Sequence, residues 1–264
     1  MKILCNTKKS IVSVEDCLKC AEGEHSCQFT YGILKTMFDN ELGNLYRVTN
    51  LVNKCPRQAI LERKLEYAVE PENLWPAFRG TSLHALVEKN KQKNAIVLKL
   101  KYKFDGIEIT GTIDEYETNT KILRDYKTTE NIPTFGPYSH HKDQVNIYAY
   151  LIKKQYKLPV NKLEITYFNF NGSQRYIFAP QPDEVTENFL HAKILQFKQA
   201  ENDLFESYAT HDWRCKYCPT RIKNFCYSID IAKMLKLNNL DVENLNIKQL
   251  TKKIFDQSGF KEIF

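Results

Sequence analysis

What this chain lacks narrows its class first. No apolar run approaches the ~20 residues needed to span a bilayer. The opening stretch MKILCNTKKS carries no long apolar core of a secretory signal. These absences predict a cytoplasmic protein with no membrane partner. There is no GxxxxGK[ST] phosphate loop, so no ATP-driven motor is encoded in these residues. Internal repeats and low-complexity stretches are also missing. What is present is an ordinary globular composition: 264 residues, 42% hydrophobic and 27% charged, which fits one large domain with small appendages. The net charge of +6 suits a polyanionic partner but does not require one.

Eight cysteines are unusual in a reducing compartment, where disulfides are rare. Cys5, Cys17, Cys20 and Cys27 crowd the first 27 residues, Cys55 stands alone, and Cys215, Cys218 and Cys226 cluster late. Four, one and three suggest two four-thiolate sites, one local and one closed over a long loop. Soft thiolates of this kind hold zinc or an iron–sulfur cluster. Scattered free thiols are the plain alternative for the N-terminal set, whose spacing otherwise fits a zinc knuckle.

Periodicity gives the elements. The pattern predicts a helix near 28–40, one helix around Cys55, and another from Pro76 to Asn90. AIVLKLKYKF alternates as a strand, and Asp105-Gly106 turns it into IEITGTIDEYE, with ILRDYKTT as the next strand. A helix from Ser139 to Gln155, a hairpin across Asn171-Gly172 and a long amphipathic helix from 182 follow. The order implies an α/β fold with a small mixed sheet flanked by helices.

Two strings carry the chemistry. GTIDEYE places Asp114 among apolar neighbours, and LRDYKTT places Asp125 and Lys127 two positions apart, on one strand face. Two carboxylates can hold a divalent cation, and a lysine beside them can position the attacking water. The plain alternative pairs Asp125 with Arg124 or Lys127 on a solvent face. His84, just before this hairpin, would complete a His-Asp-Asp shell for Mn²⁺ or Mg²⁺, with the backbone carbonyl of Tyr126 as a further oxygen ligand. Gln144 and Tyr148, four apart, share a helix face.

The ordered set of His84, GTID, DYK and QVNIY resembles the PD-(D/E)XK nuclease superfamily, in its RecB-like branch, over about residues 50–230. Ile113 stands where the superfamily's name pattern has proline, as is usual in that branch. The resemblance implies a restriction-endonuclease-like core. It implies His84, Asp114 and Asp125 as metal ligands, Lys127 as the catalytic lysine, and Gln144 with Tyr148 as active-site and DNA-positioning residues. Asn53-Lys54-Cys55-Pro56-Arg57 with the later cysteine trio resembles the iron–sulfur staple of that branch. It implies a structural [4Fe–4S] cluster on Cys55, Cys215, Cys218 and Cys226. In size and cysteine layout the chain is most similar to the small CRISPR-associated exonucleases of spacer acquisition.

The expected activity is therefore a divalent-metal-dependent DNA exonuclease acting on single strands, ends or flaps. Its partners would be CRISPR integration proteins or a recombination helicase. A phage or mobile-element recombination nuclease, or a non-catalytic nucleic-acid-binding module, would read similarly. The domain expectation is a cysteine-rich extension at 1–30, a nuclease core at 31–228 and a short helical segment at 229–264. Arg79, Lys101, Lys103, His140 and Lys142 are candidate DNA contacts. For each, a solvated charge is the plainer reading.

Overall fold

The computed structural model describes residues 1–5, 7–23, 27–38, 43–90 and 93–234. Of the expected C-terminal segment, positions 235–264 lie outside the described residues.

The chain opens with strands β1 (Lys2–Cys5) and β2 (Ser10–Val12) and helices α1 (Val14–Glu22) and α2 (Tyr31–Phe38). Helices α3 (Val48–Asn53) and α4 (Pro56–Lys64), the short strand β3 (Ala68–Val69) and helix α5 (Trp75–Lys89) come next. Strands β4 (Ala95–Phe104), β5 (Ile107–Glu117) and β6 (Ile122–Thr128) then precede helix α6 (Ser139–Tyr156). The hairpin β7 (Lys162–Asn169) and β8 (Gly172–Phe178) leads to α7 (Asp183–Asn202) and α8 (Thr220–Met234). No helix among the described residues is long and apolar enough to cross a membrane.

Two compact units divide the chain: Leu42–Asn53 with Trp75–Ile194, and Met1–Glu41 with Lys54–Leu74 and Leu195–Phe264. The first unit holds a five-stranded mixed sheet in the order β4-β5-β6-β7-β8. Neighbours are antiparallel except β6 and β7, which run parallel and are joined by α6. A parallel pair needs such a crossover, and here it lays α6 on the sheet. Helix α6 is buried without interruption from Gln144 to Ile152, so its apolar surface is not a stripe but a full belt. Beneath it lie Ile109, Ile113, Tyr116, Leu123, Leu163 and Ile165, each fully buried. Gly111 lets the two layers meet: a Cβ there would stand 2.8 Å from Tyr148 Cε1 and 3.4 Å from Val48 Cγ2.

The β4–β5 ladder is irregular close to Asp114. Ile96 pairs with Tyr116, but Leu98 pairs with Ile113. Asp114 and Glu115 thus oppose Val97 alone, which is a β-bulge. The extra residue switches the parity of β5. Ile109, Gly111 and Ile113 face α6 before the bulge, and Tyr116 takes over that face after it.

The second unit contains a three-stranded sheet, β2-β1-β3. Strands β1 and β2 and helix α1 fall within the cysteine-rich stretch expected over residues 1–30. Ser13 starts α1: its Oγ accepts from the Asp16 amide at 2.9 Å and donates to Asp16 Oδ2 at 2.7 Å. The single helix expected around Cys55 is two helices. Pro56 occupies the first turn of α4, and Cys55, held extended before the proline, caps it.

Candidate active site and thiolate pocket

In the first unit, Asp125 and Lys127 lie on the same face of β6, and Lys127 Nζ is 2.7 Å from Asp125 Oδ2. On the next strand the bulge turns Asp114 toward them. The β5–β6 ladder stops at Glu115 and Arg124, and the amide of Tyr126 donates instead to Asp114 Oδ2 at 2.9 Å. Helix α5 brings His84 Nδ1 to 3.4 Å from Asp114 Oδ1. On α6, Gln144 Nε2 donates to the Tyr148 hydroxyl at 3.1 Å, and both residues are buried. The buried side-chain oxygen of Gln144 receives no hydrogen bond from the described residues.

The two carboxyls sit in environments that separate their proton affinities. Burial pushes Asp125 up to about 6, against the opposing charge of Lys127 and with the reinforcing charge of Asp114. Burial raises Asp114 as well. The His84 hydrogen bond and charge, Lys127 and the Tyr126 amide outweigh it and hold Asp114 below its usual range. His84 is raised in turn, first by its hydrogen bond to Asp114.

A further polar cluster lies on the opposite face of the strands. Arg124 meets Glu115 at 2.5 Å, Glu117 at 2.7 Å and Glu164 at 3.3 Å. The Tyr126 hydroxyl donates to Glu115 Oε2 at 2.9 Å. This network ties β5, β6 and β7 together where the bulge would otherwise loosen them.

His141 lies beside these residues, a position to which the sequence reading gave only the role of a solvated charge. Its Nδ1 lies 2.8 Å from the Tyr167 hydroxyl. Burial, then the charges of Lys127 and His140, drive its pKa down to about 2, so the ring stays neutral. The signal was available: His141, Gln144 and Tyr148 follow the three-four spacing of one helix face.

The candidate DNA contacts scatter. Arg79 reaches Glu130 at 3.8 Å, beyond the end of β6. Lys101 is exposed and pairs with Glu108 at 3.2 Å. Lys103, also exposed, lies six residues along β4 from Val97, roughly 20 Å at strand rise. His140 stacks on Tyr138 with centroids 5.8 Å apart, and Lys142 lies 5.8 Å over the Phe178 ring.

Among the described residues, no three histidine, cysteine, aspartate or glutamate side chains converge as a formed metal-ligand group. The donor set around Asp114 nonetheless suits a hard divalent cation: the Asp114 and Asp125 carboxylates and the His84 imidazole. Asp125 is a deeply buried carboxyl that pairs with Lys127, and the free oxygen of Gln144 can accept from a bound water.

In the second unit, Cys55, Cys215, Cys218 and Cys226 line one pocket. Burial pushes Cys218 up to about 12, and Glu62 and the three other sulfurs add to it. Cys226 is pushed up to about 11 by burial despite Arg57. Arg57, 1% exposed, donates to Cys226 Sγ at 3.4 Å, Asp230 Oδ1 at 2.6 Å, Ser207 Oγ at 3.0 Å and Ser207 O at 2.6 Å. His211 Nε2 completes the network, 2.9 Å from Asp230 Oδ2. Crowded thiols, two of them raised in pKa, suit a cationic metal group as counter-charge. The N-terminal sulfurs are likewise neighbours. Burial, then Cys27, Cys5 and Cys20, raise Cys17 to about 11, and Cys5 Sγ accepts from the Lys8 amide at 3.4 Å.

No curated protein matches this chain. Among solved structures, the crystal structure of SSO0001 aligns with a TM-score of 0.50 at 20% identity, covering 70% of this chain and 90% of that one. At that identity the likeness is one of fold. The family model of the PD-(D/E)XK nuclease superfamily matches residues 89–226. That stretch begins after His84 and Cys55 and includes Asp114, Asp125, Lys127, Gln144 and Tyr148. Since it spans more than half of the sequence and follows the strands described above, the chain belongs to the PD-(D/E)XK nuclease superfamily.

Proposed function

We propose that this protein is a divalent-metal-dependent DNA exonuclease of the RecB-like branch, acting on single strands or DNA ends. The superfamily's metal-dependent nuclease chemistry, usually with Mg²⁺ or Mn²⁺, is the starting point. The observation that carries the reading is the β5–β6 arrangement. Lys127 lies 2.7 Å from the buried carboxyl of Asp125, and the bulge presents Asp114 beside them with a lowered proton affinity.

His84, Asp114, Asp125 and the Tyr126 carbonyl would hold the cation, which when bound lowers the pKa of a water and neutralises phosphate charge. Lys127, held by Asp125, is placed to orient the attacking water and to offset charge on the phosphate. Gln144 offers an unpaired buried oxygen that fixes a water proton, and Tyr148 holds the Gln144 amide in place. Neutral His141 adds a polar, uncharged wall beside Lys127.

For the thiolate pocket we propose a structural [4Fe–4S] cluster on Cys55, Cys215, Cys218 and Cys226. The common pocket, the Arg57 network and the Asn53-to-Arg57 motif support it. For Cys5, Cys17, Cys20 and Cys27 we propose a zinc ion. The similarity to small CRISPR-associated exonucleases favours a role in spacer acquisition, with recombination nucleases as the competing context.

The test is degradation of end-labelled single-stranded DNA by the purified chain in Mn²⁺ or Mg²⁺. Shortening ladders that vanish with a chelator support the exonuclease. Internal cuts in circular single strands would replace it with an endonuclease. Metal analysis of anaerobically prepared protein tests the cysteines: about four irons per chain fit the cluster, and zinc alone overturns it.

A further inference from the structure

Two phenylalanines of the first unit stand almost wholly in solvent: Phe135 at 104% and Phe170 at 89% relative exposure. Phe135 lies in the segment 129–138, which joins β6 to α6 and so runs from Lys127 toward Gln144. Phe170 sits at the turn between β7 and β8. Because β6 and β7 are parallel, both segments leave the sheet at one edge, the edge toward which Asp125 and Lys127 lie on β6.

These segments are fastened rather than loose. The Thr129 amide donates to Phe168 O at 3.2 Å, and Asn169 Nδ2 donates to Glu130 O at 3.1 Å. The Tyr138 amide donates to the Tyr167 hydroxyl at 3.0 Å, and the Tyr176 hydroxyl donates to Pro133 O. The Asn171 amide closes its own turn on Asn169 Oδ1 at 2.8 Å. Gly136, at φ +124°, takes the turn beside Phe135 that other residues rarely adopt. A built scaffold thus holds two apolar rings away from any core. On α5, Trp75 stacks on Phe78 with centroids 5.0 Å apart, and the neighbouring Arg79 reaches Glu130 of the same segment.

Exposed flat apolar rings at the end of the sheet that carries the proposed phosphodiester-cleaving centre suit one ligand class. Every nucleobase has a π-face that stacks on an aromatic ring whatever its sequence. A duplex hides those faces between neighbouring bases, whereas a single strand offers them. We propose that Phe135 and Phe170 form a stacking platform for unpaired nucleobases of the strand that enters the Asp114–Asp125–Lys127 centre. The platform selects single-stranded DNA over duplex. This rests on the nuclease reading above, whose substrate preference it assigns to named residues.

The experiment measures binding of fluorescein-labelled oligothymidylate, and of a labelled duplex of equal length, to the full chain in EDTA, where no cleavage occurs. Phe135→Ala and Phe170→Ala should each weaken single-strand affinity by about tenfold and leave duplex affinity within about twofold. Phe135→Trp and Phe170→Trp should retain wild-type affinity, with indole fluorescence quenched on binding. Unchanged single-strand affinity in the double alanine variant overturns the platform, whether the rings then serve another occupant or none. Equal losses on both DNAs overturn the selectivity. Cleavage by the wild type in Mn²⁺ is scored separately. Loss of single-strand binding in a chain that cuts nothing sustains the platform and refutes the nuclease reading. Robust cleavage with unaltered binding does the reverse.

Discussion

The carboxylate centre and the thiolate pocket bury reactive groups in opposite ways. Around Asp114 and Asp125, each carboxyl has a partner within the protein: Lys127 for Asp125, His84 and the Tyr126 amide for Asp114. The residues come from positions 84–148, on neighbouring elements of one sheet and its helices. In the thiolate pocket, Cys55 joins sulfurs 160 or more positions later, and one guanidinium, Arg57, serves Cys226, Asp230 and Ser207 at once. The first site is preorganised by the fold. In the second, Cys218 and Cys226 are held back from ionising, and a bound cation would supply their counter-charge. The proposed chemistry is assigned to the site where the protein supplies its own electrostatics. A structural role suits the place where it does not.

The sharpest way to break this contrast is at the carboxylates. Asp114→Ala, Asp125→Ala and Lys127→Ala should each lower single-turnover cleavage by at least about a thousandfold. Their circular dichroism should match the wild type. A loss below tenfold in any one would remove that residue from the centre. Next in size, Cys55→Ala and Cys226→Ala should abolish iron binding and lower the melting temperature of the second unit's transition, measured by calorimetry. Their residual cleavage, scored per folded molecule, should fall far less than in the carboxylate variants.

Proton linkage sharpens the comparison further. The native pKa of Asp125, about 6, lies above its ordinary 3.8. Its contribution to stability is full below 3.8 and is lost as pH rises through 6. A divalent cation must displace that proton. Apparent Mn²⁺ affinity, read as the rise in melting temperature of the purified protein, should therefore weaken up to about tenfold per unit as pH drops below about 6 and level off above it.

The smallest effect tests packing. Gly111→Ala drives a methyl into Tyr148 and should cost about 1–3 kcal/mol. Cleavage should drop with it, because Tyr148 holds Gln144. Denaturant midpoints and cleavage rates on the same samples would show whether stability falls without activity.

Much of this site was legible because its residues follow local periods. Asp125 and Lys127 share a face by strand alternation, and Gln144 and Tyr148 by helix spacing. The bulge at Asp114 and Glu115 was not legible, because it exists only in the register against β4. Strict alternation would have put Glu115, not Tyr116, under α6. Helix α1 was hidden by its polar, cysteine-bearing sequence, although Ser13 and Asp16 carried a capping signal. The break at Cys55 was half visible: Pro56 marked a first turn, but that turn also forces Cys55 to be extended and ends α3 before it. The Arg57 network joins positions some 150 to 173 apart, beyond any local pattern.

The most direct test of the central claim is single-turnover cleavage of end-labelled single-stranded DNA in Mn²⁺ by wild type and Lys127→Ala, side by side. The expected result is metal-dependent shortening by the wild type and a loss of about a thousandfold or more in the variant, with DNA affinity in EDTA retained. A folded wild type that cuts nothing in either Mn²⁺ or Mg²⁺, or a variant that cuts as fast, would contradict the claim.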